Sequence, residues 1–448
     1  MNSPKIIIGI MMHDTGRQFG CYGASWISSP NIDRMAEEGV IFKNHFSTGA
    51  VCVPSRASIL TSRYFHSAEL CRYKENEPSL PRALSAAGYK CWRLGFAEEG
   101  EYPSPAGAPL PYPDKDTSGT RLLGYDFSWT ESPAAADVAD KLISVLDNNT
   151  EEKLYICASF REAHAPYTAD VTDEEMAGVC LPEDLPDLPD HKETRRLLAQ
   201  FGRLVSDGDR AVGRILEYIV QKDLYRHCLV WFSADHGIDL PRAKQTCYDR
   251  GTETPFILWG GILPKTGIEA PGLSSHLDIA PTICHFAGTN PPEGALGISQ
   301  LPQLCGESSP RTYCISEQSR ESLYLPVRSI RTERYRYIRN FTPGYPVPMA
   351  HTLARRMDHT ILTKAYSATR PAEELYDITL DPAQKNNLAD DPNYGEIKLS
   401  LMSTLYSELA RTNDPIFQPN SEYSKTRENP LSFWRKDENG EFYLSDEK

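Results

Sequence analysis

The chain lacks three features that would each assign it to a particular class of protein. It has no run of about 18 apolar residues, the length that a helix needs to cross a bilayer, so no segment is expected to span a membrane. Its 11 cysteines include no Cys-x-x-Cys pair, so zinc-ribbon chemistry is not indicated. Lysine and arginine total 47 against 61 aspartate and glutamate residues. The resulting net charge of −14 argues against nonspecific binding to nucleic acid or to an anionic membrane.

The N-terminus carries no recognisable secretion signal. Its apolar run, residues 6–12, is short and leads into His13 rather than into a small-residue cleavage site, so it indicates a first core strand. An odd number of irregularly spaced cysteines favours reduced thiols over a disulfide framework. We therefore expect a cytoplasmic protein, while a leader removed before this N-terminus is left open.

The composition is that of a soluble globular protein, with 40% hydrophobic and 24% charged residues in 448. Continuous apolar runs at 6–12, 154–160 and 228–232 are typical of strands buried in a parallel sheet. Alternating patterns after residue 311 indicate antiparallel strands. We predict an α/β domain over 1–310, with a mostly parallel sheet flanked by helices, and a smaller α+β subdomain with a tail over 311–448.

Two of these strands are followed by residues that can bind a metal. His13 and Asp14 come directly after the first strand, and Asp235 and His236 follow the strand that contains residues 228–232. Open α/β sheets place ligands at the carboxyl ends of their strands, so these side chains are candidates for one divalent cation. The residues alone leave a turn or a helix cap as the alternative at each position.

Cys52 begins a second pattern, Cys-Val-Pro-Ser-Arg, followed by a small and apolar helical run. A helix N-terminus favours anions and lowers the pKa of a thiol, and Arg56 adds a fixed cation one turn later. This arrangement suits a nucleophile that attacks an anionic centre. A buried cysteine at the turn before a helix is the alternative.

The pattern Cys52-x-Pro-Ser-Arg56, continued by Leu60-Thr-Ser-Arg63, resembles the signature of the formylglycine-dependent sulfatases of the alkaline-phosphatase superfamily. The usual ending is Leu-Thr-Gly-Arg, so Ser62 replaces a glycine. Asp235-His-Gly237 resembles the second metal-binding signature of that family. Further similar segments extend the resemblance over most of residues 4–410.

The resemblance implies an alkaline-phosphatase-like sheet and a set of site residues. Cys52 would be oxidised by a maturation enzyme to formylglycine, whose hydrated aldehyde is the nucleophile. One calcium ion would be held by His13, Asp14, Cys52, Asp235 and His236. The sulfate would be bound by Arg56 and Lys244, and His164 would protonate the leaving group, a role that also suits its place after a strand.

Two departures from the family pattern concern charge. His13 stands where sulfatases usually carry a first aspartate, and imidazole is less suited to calcium than carboxylate. Gly95-Phe-Ala-Glu98 stands where most of them have Gly-Lys-x-His, whose Lys and His bind the sulfate. Candidate replacements for these cations are Arg17, His66 and Arg93. Alternatively, the site recognises a differently charged group, with Glu98 as a contact to an amine or a hydroxyl.

The segments at 13–16 and 337–343 look most like the heparan N-sulfatase branch. We therefore expect a sulfated carbohydrate as substrate, with an N-sulfated amino sugar and an O-sulfated sugar as the alternatives. A phosphonate or phosphate ester hydrolase and a non-catalytic glycan-binding homologue remain open. The sequence does not fix the oligomeric state, and a homodimer is one option.

Overall fold

A computed structural model describes residues 3–66, 76–96, 123–149, 152–179, 181–182, 185, 187–307, 309–320, 324–349, 351–417 and 434–445. Within these ranges, no helix is long and apolar enough to cross a membrane. None of the cysteines described is in a disulfide.

The first strand, Ile6–Met12, is buried along its whole length. Its alternate side chains enter two different hydrophobic cores, with Ile8 on one face and Ile7 on the other. Gly9 is required on the second face, because a Cβ atom there would lie 2.2 Å from the ring of Trp231. A strand buried on both faces is the expected centre of a parallel sheet.

This strand lies in the middle of an eight-stranded sheet. Its members are β1 (Ile6–Met12), β2 (Val40–Phe46), β3 (Tyr89–Gly95), β4 (Phe127–Trp129), β5 (Lys153–Ser159), β6 (Cys228–Ala234), β7 (Phe256–Trp259) and β8 (Ile268–Ser275). The strand order is β4-β3-β5-β1-β6-β7-β2-β8. All neighbours are parallel except β7, which is antiparallel to both β6 and β2. The prediction of a mostly parallel sheet is confirmed.

Helices cover both faces of the sheet, as predicted. They are α1 (Pro30–Glu38), α2 (Cys52–Thr61), α3 (Leu80–Ala86), α4 (Ala135–Asn148), α5 (Asp173–Gly178), α6 (Lys192–Gln221), α7 (Asp249–Thr252), α8 (His276–Ala287) and α9 (Leu301–Leu304). Apolar side chains of α1, α4 and α6 form the core on one face. Those of α2, α3 and α8 form the core on the other. The helix that carries Cys52 is therefore held between the sheet and its neighbouring helices.

The C-terminal part forms the predicted antiparallel sheet. Its strands are β9 (Cys314–Arg320), β10 (Tyr324–Arg331), β11 (Tyr335–Asn340) and β12 (Glu373–Asp377), and its helices are α10 (His351–Ala354), α11 (His359–Tyr366) and α12 (Gly395–Arg411). Leucines of α12 pack on the sheet. The tail adds a hairpin of β13 (Trp434–Lys436) and β14 (Phe442–Leu444), in which Trp434 donates a hydrogen bond to the carbonyl oxygen of Val347. The domain boundary at 310/311, which falls just before β9, stays a prediction.

Candidate active site

The ends of β1 and β6 bring two carboxylates together. The strands pair in parallel so that Met12 lies opposite Ala234, and the next residues of both leave the sheet at the same edge. The backbone N–H groups of Asp14 and His236 both donate to Asp235 Oδ1, each over 2.9 Å. Asp14 adopts a φ of 51°, a left-handed conformation that aspartate tolerates better than most residues. The edge of the sheet therefore fixes both acidic side chains.

Cys52 is the first residue of α2 and points into this cluster. Its Sγ lies 3.2 Å from His236 Nε2 and 3.7 Å from Asp14 Oδ1. Lys244 Nζ lies 3.7 Å from the same sulfur. The N-terminus of α2 adds the positive end of a helix dipole. The arrangement places a potential nucleophile beside two acids, a cation and an imidazole.

The far end of α2 explains how Ser62 can replace the glycine of the family signature. Ser62 has a φ of 58°, in the left-handed region that favours glycine. Its Oγ donates to the carbonyl oxygen of Leu277 over 2.6 Å and accepts from the N–H of Gly297 over 3.0 Å. These two hydrogen bonds offset the conformational cost and join α2 to α8.

Two buried cations, Arg56 and Lys244, lie in the cluster, and their predicted role in binding a sulfate stays a prediction. Lys244 Nζ lies 2.8 Å from Asp14 Oδ2. Arg56 Nη1 lies 2.6 Å from His13 Nε2. Both side chains are less than a tenth exposed. The cluster around Cys52 therefore contains two cationic side chains beside the carboxylates of Asp14 and Asp235.

The electrostatics keep both carboxylates ionised. Burial alone would raise the pKa of Asp14, but Lys244 and His236 outweigh it and hold this pKa below its usual value. Burial acts in the same direction on Asp235, and His236 and His13 outweigh it, so the pKa of Asp235 lies well below its usual value. Two buried anions at this edge of the sheet are suited to a bound cation.

The donor atoms are arranged so that they could hold a metal ion. His13, Asp14, Cys52 and Asp235 each offer one ligand atom, and these four atoms lie within 4.8 Å of one another. His236 Nε2 lies 3.2 Å from Asp14 Oδ1. Its Nδ1 donates to the carbonyl oxygen of Gly237 over 2.8 Å, so Nε2 is the ring nitrogen that faces the carboxylate. This contact fixes the orientation of the ring, as is usual for a histidine that binds a metal.

His164 lies at the rim of the cluster and is half-buried. Its ring centroid is 5.8 Å from that of His13 and 5.6 Å from that of Phe96. Its Nδ1 lies 2.5 Å from the carbonyl oxygen of Ala165, so Nδ1 carries a proton and Nε2 is the other exchangeable position. Phe96 occupies the place of the missing lysine, and Glu98 lies outside the described residues.

Two of the three candidate replacement cations are paired with acids in the structure. Arg17 forms an ion pair with Glu253 over 2.5 Å. His66 Nδ1 lies 2.9 Å from Glu317 Oε2, in a buried pair at the junction with the C-terminal sheet. Arg93 lies on β3 and is buried. The role of these three residues in binding an anion stays a prediction, and Arg56 and Lys244 are cations that the described part of the chain places in the cluster with Cys52.

Sequence reasoning missed a buried support beneath Asp235. Ser55 Oγ donates to the backbone carbonyl of Asp235 and lies 3.0 Å from His276 Nδ1. His276 Nε2 lies 3.0 Å from Thr254 Oγ1. Burial lowers the pKa of His276 to about 3, so this imidazole is neutral. The support links α2, α8 and the end of β6, and its only sequence signal is Ser55 within the cysteine motif.

The combination of α2, the two strand ends and the buried cations can be compared with known families. The family model described as Sulfatase matches residues 5–289. The chain belongs to the sulfatase family. The matched range contains every residue of the cluster, together with the whole eight-stranded sheet. The prediction drawn from the cysteine signature is confirmed at the level of the family.

Individual sulfatases and their structural neighbours resemble the chain over most of its length. An ulvan-active sulfatase of Formosa agariphila is 26% identical, with 93% of this chain and 76% of that protein covered. The N-sulphoglucosamine sulphohydrolase of Homo sapiens is 23% identical, with 92% and 91% covered. A solved structure of a protein in complex with its substrate, D-glucosamine-2-N,6-O-disulfate, superposes with a TM-score of 0.68 at 19% identity, covering 95% of this chain and 100% of that one.

Proposed function

We propose that this sulfatase-family chain removes a sulfate group from a sulfated carbohydrate, with a formylglycine derived from Cys52 as the nucleophile. The observation that carries the proposal is the position of Cys52 Sγ, 3.2 Å from His236 Nε2 and 3.7 Å from Lys244 Nζ, at the start of a buried helix. The sulfur marks where the aldehyde carbon's oxygens would lie after conversion. A nucleophile at this point meets an anionic group among fixed positive charges.

The nearby side chains have separate roles in this proposal. The hydrated aldehyde at position 52 supplies the attacking oxygen. Arg56 and Lys244 stabilise the negative charge that develops on the sulfate oxygens during transfer, and their burial strengthens that interaction. Because both are fixed by contacts to His13 and Asp14, little reorganisation is needed when the substrate binds.

One divalent cation, calcium as the family resemblance implies, would be held by His13, Asp14, Asp235, His236 and the modified residue 52. It would supply additional positive charge for the nucleophile and the sulfate. The low pKa of both carboxylates supports their part in this proposal, because a metal ligand must be ionised.

His164 is proposed as the group that protonates the leaving atom. The ring stands at the rim of the cluster, and the Nδ1 contact with Ala165 leaves Nε2 as the position that can transfer a proton. The leaving atom is a hydroxyl oxygen in an O-sulfated sugar and an amine nitrogen in an N-sulfated one. Both become better leaving groups when protonated, so His164 is compatible with either substrate.

The relatives favour a carbohydrate but leave the linkage as a proposal. The human relative is named for N-sulphoglucosamine, whereas other relatives are named for ulvan or for a hexuronate 2-O-sulfate. We propose an N-sulfated amino sugar as the first substrate to assay and an O-sulfated sugar as the alternative. Parallel assays with glucosamine N-sulfate and glucosamine 6-O-sulfate would separate the two.

The proposal is tested by mass spectrometry of the tryptic peptide Asn44–Arg56, from protein produced together with a formylglycine-generating enzyme. We expect the mass of the peptide in which the cysteine has become an aldehyde. The matched control is Cys52→Ala, whose peptide should keep its calculated mass and whose protein should be inactive. Unmodified cysteine in the presence of an active maturation enzyme would contradict the mechanism. Preferential hydrolysis of a phosphonate ester would instead support the phosphoesterase alternative.

A further inference from the structure

His164 lies in an irregular segment, residues 161–167, that follows β5. The first half of this segment is bound to the residues after β1 by two backbone hydrogen bonds. The N–H of His13 donates to the carbonyl oxygen of Glu162 over 3.1 Å, and the N–H of Ala163 donates to the carbonyl oxygen of His13 over 2.9 Å. The backbone just before His164 is therefore attached to the edge of the sheet at which the candidate active site lies.

The side chain of Glu162 attaches the same half of the segment to a helix. Its two carboxylate oxygens both accept the N–H of Ala135, the first residue of α4, each over 3.1 Å. The N–H of Arg161 donates to the carbonyl oxygen of Pro133 over 2.9 Å, just before the same helix. A carboxylate is favoured at a helix N-terminus, where N–H groups lack partners within the helix. Glu162 therefore holds the start of the segment against α4.

The other end of the segment is held by the C-terminal part of the chain. Arg356, between α10 and α11, donates from Nη2 to the carbonyl oxygen of Tyr167 over 2.8 Å. Its Nη1 donates to Gln200 Oε1, on α6, over 2.6 Å. A planar guanidinium with two such acceptors is held in one orientation. The ring of Tyr167 is buried in the core on this face of the sheet, so the end of the segment is fixed by packing as well.

We infer that Glu162 and Arg356 are positioning residues that hold His164 where it can protonate the leaving atom. The inference rests on the proposed function, because it concerns the proton donor of that reaction. His164 lies between the two anchored points, Glu162 and Tyr167. A proton donor must lie within hydrogen-bond distance of its acceptor, and a displacement of about 1 Å can lower a rate by about a hundredfold. The C-terminal part of the chain thus acts on the reaction through Arg356.

Both anchors bind backbone groups, Glu162 the N–H of Ala135 and Arg356 the carbonyl oxygen of Tyr167. Their loss should therefore displace the ring of His164 and leave the charges around Cys52 in place. A sugar hydroxyl or amine is a poor leaving group that needs a proton donor, whereas 4-nitrophenolate is a stable anion that leaves without one. A displaced donor should slow the hydrolysis of a sulfated sugar and spare that of 4-nitrophenyl sulfate.

The test compares kcat/KM for these two substrates, the sugar being the glucosamine N- or 6-O-sulfate that the unmodified chain hydrolyses faster. Each protein is full-length, and conversion of residue 52 and metal content are measured on the same samples. We expect Glu162→Ala and Arg356→Ala each to lower kcat/KM by about tenfold on the sugar and by less than about twofold on 4-nitrophenyl sulfate. His164→Ala should show the same selectivity with a larger loss.

Two matched controls should leave both rates unchanged. Glu175→Ala removes an exposed carboxylate that accepts a backbone N–H at the start of α5. Arg355→Ala removes the exposed neighbour of Arg356. If an alanine variant does not fold, Glu162→Gln or Arg356→Lys takes its place. Each keeps one hydrogen-bonding group, so the same selectivity is expected with a smaller loss.

The outcomes separate the inference from the proposed function. Equal losses on both substrates in Glu162→Ala or Arg356→Ala, or no loss on either, would overturn the positioning role of that residue. This holds as long as His164→Ala loses activity selectively on the sugar. A loss in His164→Ala that is equal on both substrates would instead refute its proposed role as proton donor, and the inference with it. No hydrolysis of either substrate by the converted, metal-loaded chain would refute the proposed function itself.

Discussion

Replacing Lys244 by methionine removes one positive charge from the candidate site while keeping most of the buried volume. The Nζ atom lies 3.7 Å from Cys52 Sγ and 2.8 Å from Asp14 Oδ2. A unit charge acting over about 4 Å at an effective dielectric constant of about 20 contributes about 4 kcal/mol. We therefore expect Lys244→Met to lower kcat/KM by about three powers of ten. Part of this loss comes from Asp14, whose pKa rises when its cation is removed.

The assay is kcat/KM on a sulfated monosaccharide, with metal content and conversion of residue 52 measured on the same samples. Lys222→Met is the matched control, because this side chain is 53% exposed and pairs with Asp147 on the surface. It should leave kcat/KM unchanged. A Lys244→Met protein that is fully converted and metal-loaded, yet stays within tenfold of the unmodified chain, would refute the role given to Lys244.

Three further predictions concern stability. Arg331 and Arg336 outweigh burial and lower the pKa of Asp249 to about 2, so the ionised carboxylate stabilises the fold fully above about pH 4, and this contribution is lost as the pH falls toward 2. Asp249→Asn should lower the free energy of unfolding by about 3–5 kcal/mol at pH 7. Denaturant titrations should show a smaller difference between the variant and the unmodified chain at pH 3. Ser62→Ala and Ser62→Gly both lose the two hydrogen bonds of the hydroxyl, but only alanine keeps a Cβ atom in the positive-φ conformation. Ser62→Ala should therefore be less stable than Ser62→Gly by about 1 kcal/mol, with a lower melting temperature. The reverse order would show that φ is not the dominant cost. Chelation by EDTA should lower the melting temperature, and added Ca²⁺ should restore it. At a Ca²⁺ concentration a hundredfold above Kd, the free energy of unfolding should rise by about 2.7 kcal/mol. No shift of the melting temperature with either reagent would contradict a metal site.

The central strands could be predicted because few other structures suit a short, continuously apolar sequence. Residues 6–12 and 228–232 are continuous apolar runs, a pattern typical of a short strand that is buried on both faces. Once both are parallel neighbours, the polar residues after them must meet at one edge. The proximity of Asp14 and Asp235 therefore follows from strand pattern and topology together.

Contacts between distant segments could not be predicted in the same way. Ser55 and His276 are 221 positions apart, and nothing local in either segment indicates that they meet beneath Asp235. The partner of His66 is Glu317 on β9, 251 positions away. A basic residue near the motif looked like a candidate for the sulfate because the sequence does not show which acid it pairs with.

Under the proposed function, in which Cys52 is converted to formylglycine, the burial of this residue sets an order of events during synthesis. The side chain is 6% exposed, at the start of a helix enclosed by the sheet and two other helices. An enzyme that oxidises this residue needs the segment around it as an extended, accessible peptide. Conversion and folding therefore compete for the same stretch of chain, and a molecule that folds first keeps its thiol. The active fraction of a preparation would then reflect the relative rates of two processes during biosynthesis, not the stability of the finished protein.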